Sequence, residues 1–253
     1  MKIKTKRIAG KILIAVLIGV MTFAGIKLGC YFEEKERTEQ AFQELSLLSD
    51  TDHREAEKKY EPEDAEKLAH YQKLHEQNPD FAGWIWIEGT NIDYPVMQSP
   101  ENPEFYLDHG FDKEYSSYGV PFADAACDMK KSNNFIIYGH HMNNETMFHE
   151  ITYYKDPDFL KNHPKIQFDT MDHCGEYEVI AAFCYDVEND CFRFNRHTDM
   201  SMNEFAEFIR CVHERELYNT GLTAVYGDQL LTLSTCDYVY SNGRFVVVAR
   251  EVR

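Results

Sequence analysis

The chain has 253 residues, with 43 acidic and 26 basic side chains, and its formal net charge at pH 7 is −17. The first 32 residues hold six of the basic side chains and no acidic one, so residues 33–253 carry a formal charge of −23. A surface this acidic repels polyanions, which argues against nucleic acid as a partner.

Residues 1–32 predict a membrane anchor. Fifteen apolar or small residues separate Lys11 from Lys27, and the apolar run then resumes as far as Phe32. A bilayer core takes about 20 helical residues, a length that is reached if the Lys27 side chain extends toward the lipid headgroups. The basic flank predicts a cytoplasmic N-terminus, with everything after Phe32 outside the cell.

Two alternatives to an uncleaved anchor are weaker. A cleaved signal peptide would need small residues at a cleavage site, and no site of the usual kind ends the apolar run. Lipidation at Cys30 is disfavoured because Lys27 stands where a lipoprotein signal normally has leucine.

Residues 33–77 are highly charged and rich in good helix formers. We predict a helical stalk, a break at about 50–53, and a second helix at about 62–76 that packs on the domain that follows. That domain comprises residues 78–253.

Short apolar segments dominate the rest of the chain. The alternation at 82–88, the turn at 89–91 and the apolar run at 92–97 predict a β-hairpin. Further strands are predicted at 120–123, 134–138, 165–169, 177–185, 222–226, 229–235 and 244–252. Many short strands with few long helices predict a mainly β fold, either a barrel or a sandwich, and not a doubly wound sheet.

One amphipathic helix is predicted at 202–217. Ser201 and Glu204 have the spacing of a capping box, and four large apolar residues follow at helical spacing. We expect this apolar face to pack on the core.

Seven cysteines, an odd number, leave at least one thiol without an internal disulfide partner. The spacing of Cys174, Cys184 and Cys191 does not match a C-x-x-C zinc site. Except for Cys236, we expect the cysteines to be small buried hydrophobes.

Cys236 follows one predicted strand, and Arg244 begins the next. A short connection favours antiparallel pairing of the two strands, which places Cys236 beside Arg244. A thiol beside a guanidinium is a candidate nucleophile, because positive charge favours the thiolate and can bind a developing oxyanion. The alternative for Cys236 is a buried core thiol.

The predicted strand at 134–138 ends at a glycine that is followed by His140 and His141. A free thiol has a pKa of about 8.5 and needs a base at neutral pH. These histidines are the best candidates for it, and the alternative is a pair of structural imidazoles.

The order and spacing of these motifs resemble class B sortases, the membrane-anchored cysteine transpeptidases of Gram-positive bacteria. The resemblance rests on residues 232–236 (TLSTC), Arg244 and residues 138–141 (YGHH), and on residues 83–96 and 146–148. It covers most of the chain from about residue 78. It implies a closed β-barrel of about eight strands with N-terminal helices and a long helix between the sixth and seventh strands.

The resemblance also implies roles for individual residues. Cys236 would be the nucleophile, His140 the general acid and base, and Arg244 the group that holds substrate carbonyls or the oxyanion. His141 would be a neighbour that helps to shape the site.

Four further positions are implied as substrate-binding by their place in the family pattern: Asn102, Leu107, Phe192 and Ser234. The resemblance implies neither a metal nor another cofactor.

The implied reaction joins secreted proteins bearing a C-terminal sorting signal to an amino group of a cell-wall precursor, through a thioacyl enzyme formed after a threonine. Three alternatives remain: an extracytoplasmic cysteine protease that hydrolyses its substrate, a non-catalytic membrane-tethered binding module, and a pilus-type sortase. A pilus-type member would have an Asp-Pro lid ahead of the barrel, whereas Asp156-Pro157 follows the histidines. Wall anchoring is therefore the expected function.

Overall fold

The computed structural model describes residues 2–48, 64–237, 239 and 242–252. It has two compact units, Met1–Ala41 and Phe42–Arg253. The first consists of most of α1 (Lys2–Leu48), which over Val16–Leu47 is long and apolar enough to cross a membrane. A membrane anchor and a signal sequence share this property. The predicted break at 50–53 lies outside the described residues.

The second unit is a small barrel with short helices. Its strands are β1 (Phe81–Trp86), β2 (Asp93–Met97), β3 (Phe122–Ala123), β4 (Asn134–Tyr138), β5 (Lys165–Thr170), β6 (Cys174–Asp186), β7 (Leu230–Asp237) and β8 (Gly243–Glu251). Its helices are α2 (Asp64–Gln77), α3 (Pro157–Asn162) and α4 (Met202–His213). Short 3-10 helices lie at Phe105–Leu107, Glu150–Lys155 and Phe194–Arg196.

The eight strands close into one barrel in the order β1-β2-β3-β4-β7-β8-β6-β5. The β2/β3 and β4/β7 pairs are parallel, and the other pairs are antiparallel. The closed barrel predicted through the family resemblance is confirmed, and so is the hairpin of β1 and β2. The two parallel pairs join segments that are distant in sequence, and one of them positions the site.

The strand predicted at 222–226 is wrong. The Val225 amide donates to the Asp228 carboxylate at 2.8 Å, and the Asp228 amide donates to the Val225 carbonyl at 2.9 Å. These bonds close a turn in which Val225 and Tyr226 are exposed. The β-branched and aromatic residues of this segment are typical of a strand, but the backbone amide and carbonyl of Val225 bond within the turn and not to a neighbouring strand.

A helix, α4, lies between β6 and β7 and begins with the predicted capping box of Ser201 and Glu204. It has 12 residues and ends at His213, four residues before the predicted end, so it is not a long helix. Beyond it, the Leu217 amide donates to the Ala182 carbonyl on β6 at 2.9 Å. The chain therefore leaves the helix to run along the barrel wall.

A buried carboxyl joins α2 to the barrel. Asp169 on β5 accepts a hydrogen bond from the Tyr71 hydroxyl at 2.9 Å and from the Gly175 amide at 3.2 Å. Burial raises the pKa of Asp169 to about 6, although the Lys67 charge and these hydrogen bonds act in the opposite direction.

We expect Asp169→Asn to stabilise the protein more at pH 7 than at pH 4. An unfolded aspartate has a pKa of about 3.9, so between pH 4 and pH 6 the unfolded state loses its proton first and the wild type loses stability. The amide of the variant does not titrate. The free energy of unfolding of the variant minus that of the wild type should therefore grow by about 2–3 kcal/mol over this interval. Urea unfolding of both proteins at each pH measures it, with the exposed Asp172→Asn as a control. A difference that is independent of pH would contradict this prediction.

Candidate active site

Cys236 lies near the end of β7, and its direct backbone partner on β8 is Arg244. The predicted proximity of these two residues is confirmed. Cys236 is partly exposed, in contrast to the core thiol of Cys127, whose burial raises its pKa to about 12. The Cys236 thiol is therefore not part of the buried core.

The parallel pairing of β4 with β7 brings the histidine segment to the cysteine. Tyr138 pairs with Ser234, and the ladder continues with a bond from the Gly139 amide to the Ser234 carbonyl at 3.1 Å. His140 and Cys236 each follow this last pair by two residues, so both lie just beyond the same end of the β4/β7 ladder. The strand of Cys236 thus lies between β4, which leads into His140, and β8, which carries Arg244.

His140 is held by a backbone carbonyl from a distant loop. Its Nε2 donates to the Leu107 oxygen at 2.7 Å. A carbonyl only accepts hydrogen bonds, so Nε2 carries the proton of the neutral ring and Nδ1 is the nitrogen left for proton exchange. Sequence reasoning missed this contact, because a main-chain oxygen leaves no signature in the sequence.

His141 contacts the backbone of the candidate nucleophile. Its Nδ1 donates to the Cys236 carbonyl at 2.9 Å, and its ring meets that of His149 edge-on. Burial lowers the pKa of His141; the nearby His149 and Lys155 act in the same direction, while the bond to Cys236 opposes them. Its neutral ring therefore supports the end of β7.

Arg244 holds its guanidinium close to the turn that precedes β8. Its Nη1 donates to the Asn242 side-chain oxygen at 3.2 Å and to the Gly243 carbonyl at 2.9 Å. Because Arg244 and Cys236 are direct cross-strand partners, their side chains leave the same face of the sheet. The guanidinium is thus tethered to the start of β8, and Arg244 shares a sheet face with the thiol.

Sequence reasoning also missed an ion pair next to the cysteine, in which the aspartate is buried and the lysine is 38% exposed. Asp237, on the opposite face from Cys236, accepts from Lys155 Nζ at 2.8 Å, and this ammonium lies 5.3 Å from the centre of the Phe245 ring. Burial raises the pKa of Cys184 to about 11, and a hydrogen bond to Asp237 adds to the shift. The pair fixes the end of β7 from behind the thiol.

The four candidate substrate-binding residues divide into two groups. Asn102 is exposed and Leu107 is 41% exposed. Ser234 is only 1% exposed, and its hydroxyl has no hydrogen-bond partner among the described residues. Phe192 is 7% exposed, with the Arg215 guanidinium 4.8 Å from its ring centre. Asn102 and Leu107 are therefore open to solvent, whereas Ser234 and Phe192 are buried.

All seven cysteines lie within the described residues, and each is a free thiol. Cys127 is buried, as expected, but Cys30 and Cys191 are exposed. For those two residues the expectation of a buried hydrophobe is wrong.

Comparison with known proteins relates this architecture to one family. A family model described as a sortase domain matches residues 85–252. A curated sortase B from Listeria monocytogenes is 30% identical over 256 residues, which cover 98% of this chain and 99% of the relative. A curated sortase B from Staphylococcus aureus is 30% identical over 186 residues, which cover 72% of this chain and 75% of the relative.

Solved structures give the same relationship. A mutant form of Clostridium perfringens sortase B superposes with a TM-score of 0.74 at 28% identity, covering 85% of this chain and 98% of that one. A Staphylococcus aureus sortase B–substrate complex superposes with a TM-score of 0.71 at 28% identity, covering 87% of this chain and 97% of that one.

Proposed function

This chain belongs to the sortase family of cell-surface cysteine transpeptidases, and from that membership we propose that Cys236, His140 and Arg244 carry out acyl transfer on a C-terminal sorting signal. The observation that carries the proposal is the strand register at β7. It pairs Cys236 with Arg244 on β8, and it pairs Ser234 with Tyr138, which precede Cys236 and His140 by two residues each.

The first step forms a thioacyl enzyme. His140 Nδ1 takes the proton from Cys236 Sγ, and the sulfur attacks the carbonyl carbon of a threonine in the sorting signal. When the tetrahedral intermediate collapses, the C–N bond breaks and the imidazolium gives its proton to the departing amine. The part of the substrate before the scissile bond remains on the sulfur as a thioester.

The second step transfers the acyl group to a cell-wall amine. The amine attacks the thioester carbon while His140 accepts its proton, and the C–S bond breaks to release the thiolate. The product carries a new amide bond, and the imidazolium returns its proton to the sulfur.

Arg244 is proposed to hold the substrate carbonyl or the oxyanion formed in each step. Its planar guanidinium offers several N–H donors in fixed directions, whereas a lysine ammonium is a point charge on a flexible stem. The bonds to Asn242 and Gly243 hold the guanidinium at the start of β8 before substrate arrives, and this supports the proposal.

We expect Arg244→Lys to lower kcat/KM by about 10²- to 10³-fold, as is typical for loss of an oxyanion donor. Steady-state kinetics on a threonine-containing peptide measure this. Arg193→Lys is a suitable control, because Arg193 is bonded to Tyr185 and Val187 and has no proposed role in the reaction. An Arg244→Lys rate equal to that of the wild type would remove the arginine from the mechanism.

The amine distinguishes a transpeptidase from a protease. The full-length protein in detergent is incubated with a library of threonine-containing peptides, with and without hydroxylamine, and the products are read by mass. We expect hydroxylamine to increase cleavage and to appear in the product. Because hydroxylamine can cleave the thioacyl enzyme of a protease as well, the reaction without amine decides between the two classes: little hydrolysis there supports a transpeptidase, and rapid hydrolysis would favour a cysteine protease.

The partners and the location follow from the same proposal. Secreted proteins with a C-terminal sorting signal would be the acyl donors, and a cell-wall precursor would supply the amine. The α1 helix would anchor the protein, with a cytoplasmic N-terminus because of its basic flank. Asn102 and Leu107 would contact the sorting signal directly, whereas Ser234 and Phe192 would need side-chain movement to reach it.

A further inference from the structure

We propose that Gly119 is a positioning residue for His140 and acts through the backbone carbonyl of Leu107. The inference rests on the proposed role of His140 in proton transfer. It concerns the hydrogen bond that fixes which ring nitrogen of His140 is available to exchange a proton with the thiol.

The Leu107 carbonyl belongs to a firmly anchored turn. In the 3-10 helix Phe105–Leu107, Tyr106 is 1% exposed, and its hydroxyl donates to the Asp80 carboxylate at 2.8 Å. The same hydroxyl accepts from the Asn78 side chain at 2.9 Å. These buried bonds hold the turn and therefore the oxygen that accepts the His140 Nε2 proton.

The segment that returns to β3 passes directly beneath this turn. The Val120 amide donates to the Tyr106 carbonyl at 3.0 Å, so the neighbouring Gly119 is pressed against the same turn. Gly119 has φ +58, and a Cβ added there would lie 2.6 Å from the Leu107 oxygen and 2.5 Å from the Tyr106 oxygen. Both oxygens belong to the backbone, so neither can avoid the new Cβ by a side-chain rotation.

A side chain at position 119 would therefore force residue 119 and the turn apart, and we expect this to displace the carbonyl that binds His140. Once that acceptor moves, Nε2–H loses its partner, and the ring is free to turn or to take the other tautomer. Either change moves Nδ1 from the place where it exchanges a proton with the sulfur. Misplacement of a reacting group by about 1 Å can cost about 100-fold in rate.

The test uses Gly119→Ala in the full-length protein in detergent, with a threonine-containing peptide selected from the library and hydroxylamine as the amine. We expect kcat to fall by about 10- to 100-fold while KM changes by less than about threefold, because Leu107 still presents its side chain to the peptide. Nitrogen-15 NMR of the His140 ring should show the Nε2–H tautomer in the wild type and a mixture in the variant.

Gly221→Ala is the matched control. Gly221 also has a positive φ, +77, but a Cβ there would meet no atom within 4 Å. This variant has the same kind of backbone strain without the clash, so its kcat and the His140 tautomer should equal those of the wild type.

Several results would overturn the inference. One is a wild-type Gly119→Ala rate, and another is a loss of rate with an unchanged His140 tautomer. A third is an Nδ1–H tautomer in the wild type, which decides the question even if the variant fails to fold. Full activity of His140→Ala would instead defeat the proposed role of His140, so the two failures are distinguishable.

Discussion

Replacing Cys236 with alanine is expected to abolish peptide cleavage and amine transfer, with a loss of more than about 10⁴-fold in kcat. The reaction needs a nucleophile that forms a covalent intermediate, and the methyl group of alanine cannot supply one. No neighbouring thiol can substitute, because Cys184 is on the opposite face of the barrel wall, and its burial and its bond to Asp237 raise its pKa to about 11.

The matched control for this prediction is Cys191→Ala, which removes an exposed thiol that has no proposed role. It should keep the wild-type rate, and it tests whether a thiol outside the site contributes. Residual activity of a few per cent in Cys236→Ala, measured by mass spectrometry of the products, would contradict the assignment of the nucleophile.

Replacing His140 with alanine is expected to lower kcat by about 10²- to 10⁴-fold, the usual contribution of a general acid and base. Without the imidazole, the thiol has no base on its open side, and the leaving amine has no proton donor. The same peptide cleavage assay measures the loss at several pH values.

His141→Ala is the natural control, because it removes the adjacent imidazole. That ring donates to the Cys236 carbonyl and not to the thiol, so its loss should lower the rate by no more than about tenfold. Equal losses at the two positions would show that the assignment of His140 over His141 is wrong.

The parts of the fold that depend on neighbouring residues could be predicted from the sequence. The hairpin of β1 and β2 and the pairing of β7 with β8 follow from short connections and alternating apolar residues. That is why the proximity of Cys236 to Arg244 could be derived from the amino-acid sequence alone.

The contacts that complete the site join residues far apart in the chain. The parallel β4/β7 pair brings the segment that leads into His140 beside the strand of Cys236, and no local pattern encodes the register of this pair. Within the sequence, only the family resemblance linked these two residues. The Leu107 carbonyl and the ion pair of Lys155 with Asp237 were missed, because neither a backbone oxygen nor a pairing over 82 positions has a local signature.

The errors have a common physical cause, which is that composition does not say where a segment packs. Residues 222–226 have the composition of a strand but form a turn closed by Asp228. Cys191 was expected to be a small buried hydrophobe, yet it is exposed.

The most direct measurement is the mass of the full-length enzyme after mixing with a cleavable threonine-containing peptide, first without and then with hydroxylamine. We expect an acyl adduct that peptide mapping places on Cys236, that does not form in the Cys236→Ala variant, and that hydroxylamine removes as the acyl hydroxamate. Cleavage of the peptide with no adduct on Cys236, or with an adduct on another residue, would contradict the mechanism.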